Sequence, residues 1–168
     1  MRLNMLATKI LGVFAAVMLL AACESTPSNT ASTTNTGTTA TTGGGGGGIT
    51  SGSVQDFTVN VGDRVFFDTN KYDLRPDARA TLDKQAAWLK QYPKYAITVE
   101  GHCDERGTRE YNMALGERRA TAAKNYLVNL GVPAARIKTI SYGKERPVAL
   151  GHNEDAWKQN RRAVTVLN

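Results

Sequence analysis

Histidine and cysteine, which supply many catalytic and metal-binding side chains, are scarce: the 168 residues contain two of each. His102 and Cys103 are neighbours, so on a strand they point to opposite faces and make a poor pair of base and nucleophile. A zinc site would need His102, Asp104 and His152 together, and their spacing matches no zinc motif such as HExxH. We therefore expect no enzyme, no metal and no cofactor.

The sequence also has no apolar run of the roughly 20 residues that a membrane-spanning helix needs. The apolar run 10–22 is shorter, follows the basic residues Arg2 and Lys9, and ends in Leu-Ala-Ala-Cys at Cys23. A basic start followed by a short apolar segment predicts a secretory signal peptide over residues 1–22. The ending resembles a bacterial lipobox, which implies that Cys23 carries a diacylglycerol and an N-terminal acyl chain such as palmitate.

Several acyl chains on Cys23 would hold the chain firmly to a membrane. The next residue is Glu24, whereas aspartate there is associated with retention in the inner membrane. We therefore expect an outer-membrane anchor with the rest of the chain facing the periplasm. Lipidation of Cys23 leaves Cys103 without a partner, so we expect no internal disulfide.

Charge is absent from residues 25–53, which are rich in Ser, Thr and Gly and include six consecutive glycines at 43–48. Such a composition cannot bury a hydrophobic core, so residues 23–53 are predicted to be a lipidated cysteine and a flexible linker. Residues 54–168 have the length and composition of one domain.

Residues 54–168 alternate strand-like and helix-like patterns. The predicted elements are a strand at 65–67, a helix from Pro76 to before Pro93, a strand at 95–101, a helix capped by Thr108 and ended near Gly131, a strand at 137–142, a short helix at 153–159 and a strand at 163–167. This order predicts an α+β fold, a two-layer β-α-β-α-β(-β) sandwich with two main helices packed on one mixed sheet.

The second main helix carries two stripes at helical spacing. The predicted core stripe is Met113, Gly116, Ala120, Ala123, Leu127 and Leu130, and the stripe beside it is Asn112, Leu115, Arg119 and Ala122. This pattern predicts that Arg119 lies at the edge of the core, with its stem packed and its guanidinium projecting into a cleft.

Charged residues crowd the segment between the second strand and this helix. Asp104 and Arg119 would face a shared space, where the carboxylate accepts from an ammonium and the guanidinium binds a carboxylate. A ligand with both charges on neighbouring atoms fits this pattern. A helix cap or a structural Asp104–Arg119 ion pair stays open as the alternative.

The basic residues give no sign of nucleic-acid binding. After removal of residues 1–22 the chain keeps 19 Lys and Arg against 15 Asp and Glu, since Arg2 and Lys9 are lost from the total of 21. These residues are scattered among acids, whereas nucleic-acid binding needs a concentrated basic stripe or a stacking platform.

Three segments, VEGHCDERGTREYNMALGERRA, SYGKERP and NRRAVTV, resemble the peptidoglycan-associated lipoproteins of the OmpA-like domain family. The resemblance covers residues 54–168, and the lipobox and linker extend it to the whole chain. It implies a non-enzymatic domain that binds the stem peptides of non-crosslinked peptidoglycan through meso-diaminopimelate. This residue ends in an ammonium and a carboxylate on one carbon.

The resemblance also implies the binding residues and the partners. The ligand-binding positions it transfers are Asp104, Arg119, Arg106, Leu115, Thr69 and Asn70. Thr69 and Asn70 would act through their backbones, and they stand where the family more often has an apolar residue and an aspartate. The implied partners are peptidoglycan, TolB and other Tol proteins. The implied role is tethering the outer membrane to the cell wall within the Tol–Pal system, which supports envelope integrity and cell division. A lipid-anchored cell-wall hydrolase is the alternative.

Overall fold

The structure, a computed structural model, describes residues 48–168. The predicted signal peptide 1–22, the lipidation of Cys23 and most of the predicted linker lie outside the described residues. The elements are α1 (Val54–Asp56), a π-helical turn (Phe57–Gly62), β1 (Arg64–Phe66), α2 (Pro76–Gln91), β2 (Ile97–His102), α3 (Arg109–Asn129), a 3₁₀ turn (Ala134–Arg136), β3 (Ile137–Gly143), α4 (Glu154–Asn160) and β4 (Arg162–Leu167). Within residues 48–168, no helix is long and apolar enough to cross a membrane.

The four strands form one mixed sheet in the order β1-β4-β2-β3. Strands β2 and β3 run parallel, whereas β4 runs antiparallel to both β1 and β2. The last strand is therefore inserted between the first and the second. The predicted α+β sandwich with two main helices and a mixed sheet is confirmed. The insertion of β4 could not be predicted, because periodicity within a strand does not identify its neighbours.

The helices begin where local chemistry predicts. Pro76 occupies the first turn of α2, where its missing N–H costs nothing. The Thr108 hydroxyl accepts from the Tyr111 N–H at 3.2 Å and caps α3, as predicted. The Asn153 side chain caps α4 by accepting from the Ala156 N–H at 2.9 Å. The segments that follow β1, β2 and β3 each end at one of these helix starts.

The folded region begins slightly before the predicted boundary at residue 54. Gly52 is buried, and its carbonyl accepts from the Tyr95 hydroxyl at 2.8 Å. The Asp56 carboxylate accepts from the Gly52 N–H and from Trp88 Nε1, each at 2.8 Å. Gly52 and Ser53, which were assigned to the linker, thus contact the domain, because Asp56 and Tyr95 bind the Gly52 backbone and the Ser53 hydroxyl accepts from the Asp56 N–H at 3.0 Å.

Helix α3 lies very close to β2 at two glycines. A Cβ atom added to Gly101 would come 1.9 Å from the Gly116 carbonyl oxygen, so neither backbone leaves room for a side chain. Behind this contact the apolar core lies between the sheet and helices α2 and α3, with Leu89, Val99 and Leu127 fully buried. The close contact sets which face of α3 is turned toward the sheet.

The buried face of α3 differs from the predicted stripe at its N-terminal end. Met113 is 36% exposed, so its assignment to the core stripe is wrong, whereas Leu130 at the other end is partly buried and packs against the core as predicted. Asn112 and Arg119 are buried instead. The spacing of apolar residues could not predict that these polar residues are buried. Their burial depends on hydrogen-bond partners elsewhere in the fold, which the spacing does not reveal.

We predict that Gly101→Ala destabilises the domain by at least about 2 kcal/mol, because the added methyl group meets helix backbone that cannot rotate away. The free energy of unfolding from urea denaturation measures the effect. Gly48→Ala, which adds the same methyl at an exposed position, is the control. Equal stability of Gly101→Ala and Gly48→Ala would contradict the close packing of α3 on β2.

Candidate ligand-binding cleft

A cleft of about 660 Å³ lies between the segment that follows β1 and helix α4. Its lining residues are Phe66, Phe67, Asp68, Thr69, Lys71, Arg75, Glu154, Lys158, Gln159 and Arg161. Its volume is within the range of small-molecule sites in proteins. Aromatic surface and charges of both signs meet in it, which suits a ligand with both apolar and ionic groups.

Arg161 forms the inner wall of the cleft and connects three parts of the fold. Its side chain is 5% exposed. Its Nε donates to the Phe67 carbonyl at 3.1 Å, Nη1 to Asp104 Oδ2 at 3.3 Å and Nη2 to Glu154 Oε1 at 2.6 Å. Sequence reasoning assigned no role to Arg161. The signal for it was the NRRAVTV segment, which was used only for the resemblance.

Asp104 lies beside Arg161 and is 7% exposed. Its Oδ1 accepts from the Arg106 N–H and Nε, both at 3.2 Å, and its Oδ2 accepts from Arg106 Nη2 at 2.7 Å. Burial alone would raise the pKa of Asp104, but the hydrogen bonds from Arg106 and Arg161 outweigh it and hold that pKa below its usual value. Asp104 is therefore a carboxylate at neutral pH, as its predicted role requires.

Arg106 lies at the rim of the same site, where its side chain is 39% exposed. Its guanidinium stacks on the Trp157 ring at 4.1 Å and its Nη2 is 3.4 Å from Thr69 Oγ1. The structure thus brings together Asp104, Arg106 and Thr69, three of the predicted binding residues. Arg106 is held by contacts on several sides, yet it has access to solvent.

Glu105 connects the Asp104 turn to helix α4 through a side-chain hydrogen bond. Its carboxylate accepts from Trp157 Nε1 at 2.9 Å and lies 2.7 Å from His152 Nδ1. The hydrogen bond from Trp157, followed by that with His152, lowers the pKa of Glu105. This contact keeps Trp157 in place under Arg106.

Arg119 does not occupy the predicted position. It is fully buried, and its guanidinium donates to three backbone carbonyls: Nε to Lys71 at 2.8 Å, Nη1 to His102 at 2.8 Å and Nη2 to Asp68 at 3.1 Å. The expectation that it projects into the cleft is therefore wrong, and Asp104 pairs with Arg106 and Arg161 instead. The reason is that the turn after β1 folds over α3 and presents its carbonyl oxygens to the guanidinium.

This turn, residues 68–71, carries two more of the predicted residues. Thr69 and Asn70 are exposed, and Asn70 has a positive φ of 56°, a conformation that asparagine tolerates. Leu115, by contrast, is 3% exposed and packs in the interior, and its role as a ligand contact stays a prediction. Leu115 lies one helical turn before Arg119 on the same face of α3, so the two residues are buried together.

The Cys103 thiol is not activated as a nucleophile. Cys103 is 3% exposed, its Sγ lies 3.4 Å from the Asn112 carbonyl, and burial raises its thiol pKa to about 11. A thiol with that pKa is protonated at neutral pH and is a poor nucleophile. Across residues 48–168, no cluster of three or more His, Cys, Asp or Glu side chains is placed to hold a metal ion.

His102 ends β2 and is buried with neither ring nitrogen hydrogen-bonded. Its ring lies 5.5 Å from that of Tyr142, and its Nε2 is 3.5 Å from Glu100 Oε2. Burial, together with the positive charges of Arg162 and Arg146, lowers the pKa of His102 to about 4. The ring is therefore neutral in the folded protein at neutral pH.

Comparison with known sequences links this fold to one family. The family described as OmpA matches residues 66–161. A relative from Rhizobium meliloti described as a peptidoglycan-associated lipoprotein is 67% identical over 118 residues, which are 70% of this chain and 67% of the relative. A relative of the same description from Pasteurella multocida is 43% identical over 157 residues, which are 94% of this chain and 95% of the relative.

Solved structures agree with the sequence comparison. The crystal structure of the peptidoglycan-associated lipoprotein from Burkholderia pseudomallei superimposes with a TM-score of 0.65 at 42% identity, over 68% of this chain and 98% of that chain. The C-terminal domain of Helicobacter pylori MotB gives a TM-score of 0.59 at 21% identity, over 63% and 84% of the two chains. The likeness to MotB is one of fold alone.

We predict that Arg119→Ala lowers the free energy of unfolding by about 3 kcal/mol, because the buried His102 carbonyl and the partly buried carbonyls of Asp68 and Lys71 lose their donor. Arg118→Ala, which truncates the exposed neighbouring arginine, should change stability by less than about 0.5 kcal/mol. Urea denaturation of both variants measures the difference. Similar stabilities of the two variants would contradict the structural role of Arg119.

We predict that the free energy of unfolding falls by up to about 3 kcal/mol as the pH drops from 6.5 to about 4. In the unfolded chain His102 is protonated below its ordinary pKa of 6.5, whereas in the folded chain it stays neutral down to a pH of about 4. In His102→Gln this pH-dependent loss should shrink. In His152→Gln, which replaces the exposed histidine, it should persist. An unchanged loss in His102→Gln, measured by denaturation at each pH, would refute the assignment.

Proposed function

The chain belongs to the OmpA family, and from this membership we propose that it is a lipid-anchored protein of the outer membrane that binds peptidoglycan. Its domain would face the periplasm and bind the stem peptides non-covalently. This binding would tether the outer membrane to the cell wall. Relatives described as peptidoglycan-associated lipoproteins support this proposal, with identities of up to 67% in the comparisons above.

The single observation that carries the proposed ligand chemistry is the Asp104 carboxylate, which adjoins the cleft through its bond with Arg161, a residue of the cleft lining. It is ionised, largely buried and bordered by the guanidinium groups of Arg106 and Arg161. A carboxylate with cationic neighbours suits a ligand group that bears an ammonium and a carboxylate on one carbon. The side-chain end of meso-diaminopimelate is such a group, and peptidoglycan stem peptides carry it.

Binding would proceed by exchange at Asp104. Its two oxygens already accept three hydrogen bonds from Arg106 and one from Arg161, which fills their acceptor capacity. The ligand ammonium therefore replaces the exposed Arg106 guanidinium at the Asp104 carboxylate, while the buried Arg161 guanidinium stays bonded to it. Arg106 remains stacked on Trp157 and turns its freed N–H groups toward the ligand carboxylate. One displacement thus satisfies both charges of the ligand.

Arg119 supports this site from behind. It binds the carbonyls of Asp68 and Lys71 and so fixes the turn that carries Thr69 and Asn70, whose backbones would contact the ligand. That Arg119 itself binds the ligand carboxylate stays a prediction. Three of its five N–H groups are donated to carbonyls, so at most two are left for a ligand.

The remaining parts of the proposal concern the anchor and the protein partners. We propose that Cys23 carries the lipid and that residues 23–53 act as the tether. The Pasteurella relative supports this reading, since its alignment covers 94% of the chain and therefore extends beyond the folded domain. We further propose TolB and other Tol proteins as partners, with a role in envelope integrity and in constriction of the outer membrane at cell division. These partners rest on the sequence resemblance.

We predict that Asp104→Asn weakens binding of the full chain to purified sacculi by about tenfold or more, because a neutral amide cannot pair with the ammonium. Free meso-diaminopimelate should compete for wild-type binding, whereas lysine, which lacks the second carboxylate, should compete poorly. Co-sedimentation with sacculi measures both effects.

Asp155→Asn is the matched control, since it removes the same charge from an exposed position on α4. It should bind sacculi like the wild type. If Asp104→Asn also binds normally, or if lysine competes as well as meso-diaminopimelate, the proposed ligand site is wrong.

A further inference from the structure

The cleft is larger than one amino-acid side chain requires. Clefts of about 300–1,000 Å³ enclose ligands of drug size, and this one is about 660 Å³. Asp104 and Arg106 adjoin the cleft where Arg161 and Thr69 line it, and Lys71, Arg75 and Lys158 belong to the same lining. If the end of diaminopimelate binds at Asp104, neighbouring parts of the same stem peptide extend along the cleft.

The charges along the cleft do not balance. Its lining carries four cations, Lys71, Arg75, Lys158 and Arg161, and two carboxylates, Asp68 and Glu154. Arg75 pairs with Asp68 at 3.3 Å, and Arg161 pairs with Glu154 at 2.6 Å. In the described part of the chain, neither lysine has a carboxylate within 4 Å of its ammonium. The two lysines therefore leave the cleft with an excess of positive charge.

Both lysines project from backbone that the fold holds in place. The Lys71 carbonyl accepts from Arg119 Nε at 2.8 Å, and its N–H donates to the Asp68 carbonyl at 3.2 Å. Lys158 lies on α4, which is fixed by the Asn153 cap and by the Glu154–Arg161 ion pair. Two lysine side chains thus line the cleft from two fixed points, one on the turn after β1 and one on α4.

We infer that Lys71 and Lys158 form a second carboxylate site, which binds a free carboxylate of the stem peptide other than the one at the end of diaminopimelate. This inference rests on the proposed function. The glutamate next to diaminopimelate is linked through its γ-carboxyl group, so its α-carboxylate is free and has the required charge. The cleft then distinguishes stem peptides with a free α-carboxylate from those in which this group is amidated.

The test compares two soluble probes, the tripeptide L-Ala-γ-D-Glu-meso-diaminopimelate and the same peptide with the glutamate α-carboxylate converted to an amide. Binding of each to the full chain is measured by calorimetry. The wild type should bind the free-carboxylate form roughly three- to tenfold more tightly. In Lys71→Gln and Lys158→Gln this preference should shrink, and in the double variant it should disappear. Affinity for the amidated form should change little.

Lys84→Gln is the matched control, because it removes the same charge from an exposed position on α2 outside the cleft. It should keep the full preference. Equal binding of both peptides to the wild type, or a preference that survives in the double variant, would overturn the second site and leave the proposed function standing. A wild type that binds neither peptide would instead contradict the proposed function itself.

Discussion

The candidate site depends on one constraint: two arginines, Arg119 and Arg161, are buried, and a buried guanidinium must have its N–H groups hydrogen-bonded. Arg119 uses backbone carbonyls on the turn after β1 and at the end of β2. Arg161 uses the Phe67 carbonyl and two carboxylates. Together they join the Asp104 turn to the turn at 68–71 and to α4, which form the two walls of the cleft.

This arrangement separates a fixed frame from one exposed contact. The buried arginines and Asp104 hold the shape of the site, whereas Arg106 bonds to Asp104 from the solvent side and rests on Trp157. An ammonium that replaces Arg106 finds a carboxylate already desolvated and oriented. Because the frame does not have to form on binding, little conformational entropy is lost, which favours affinity for a small charged group.

Much of this fold follows from the sequence, and the exceptions have physical reasons. The starts of α2 and α3 were predictable, since Pro76 and Thr108 act locally. The insertion of β4 was not, because strand pairing is decided by distant segments. Asp104 could be singled out as a candidate because it follows a strand. The burial of Arg119 was missed because its acceptors lie about 50 residues earlier in the chain, apart from the nearer His102 carbonyl. Arg161 was missed for a similar reason, since its Asp104 and Phe67 acceptors are also distant in sequence.

The central claim is that the end of diaminopimelate replaces Arg106 at Asp104. The most direct measurement is a nuclear magnetic resonance titration of the isotope-labelled full chain with meso-diaminopimelate. The account predicts that the largest shifts fall on the Asp104–Arg106 turn and the Arg106 side chain, with smaller shifts at Thr69 and Asn70. Shifts confined to the outer sheet face around Ile140 and Val166, or no shifts at all, would contradict it.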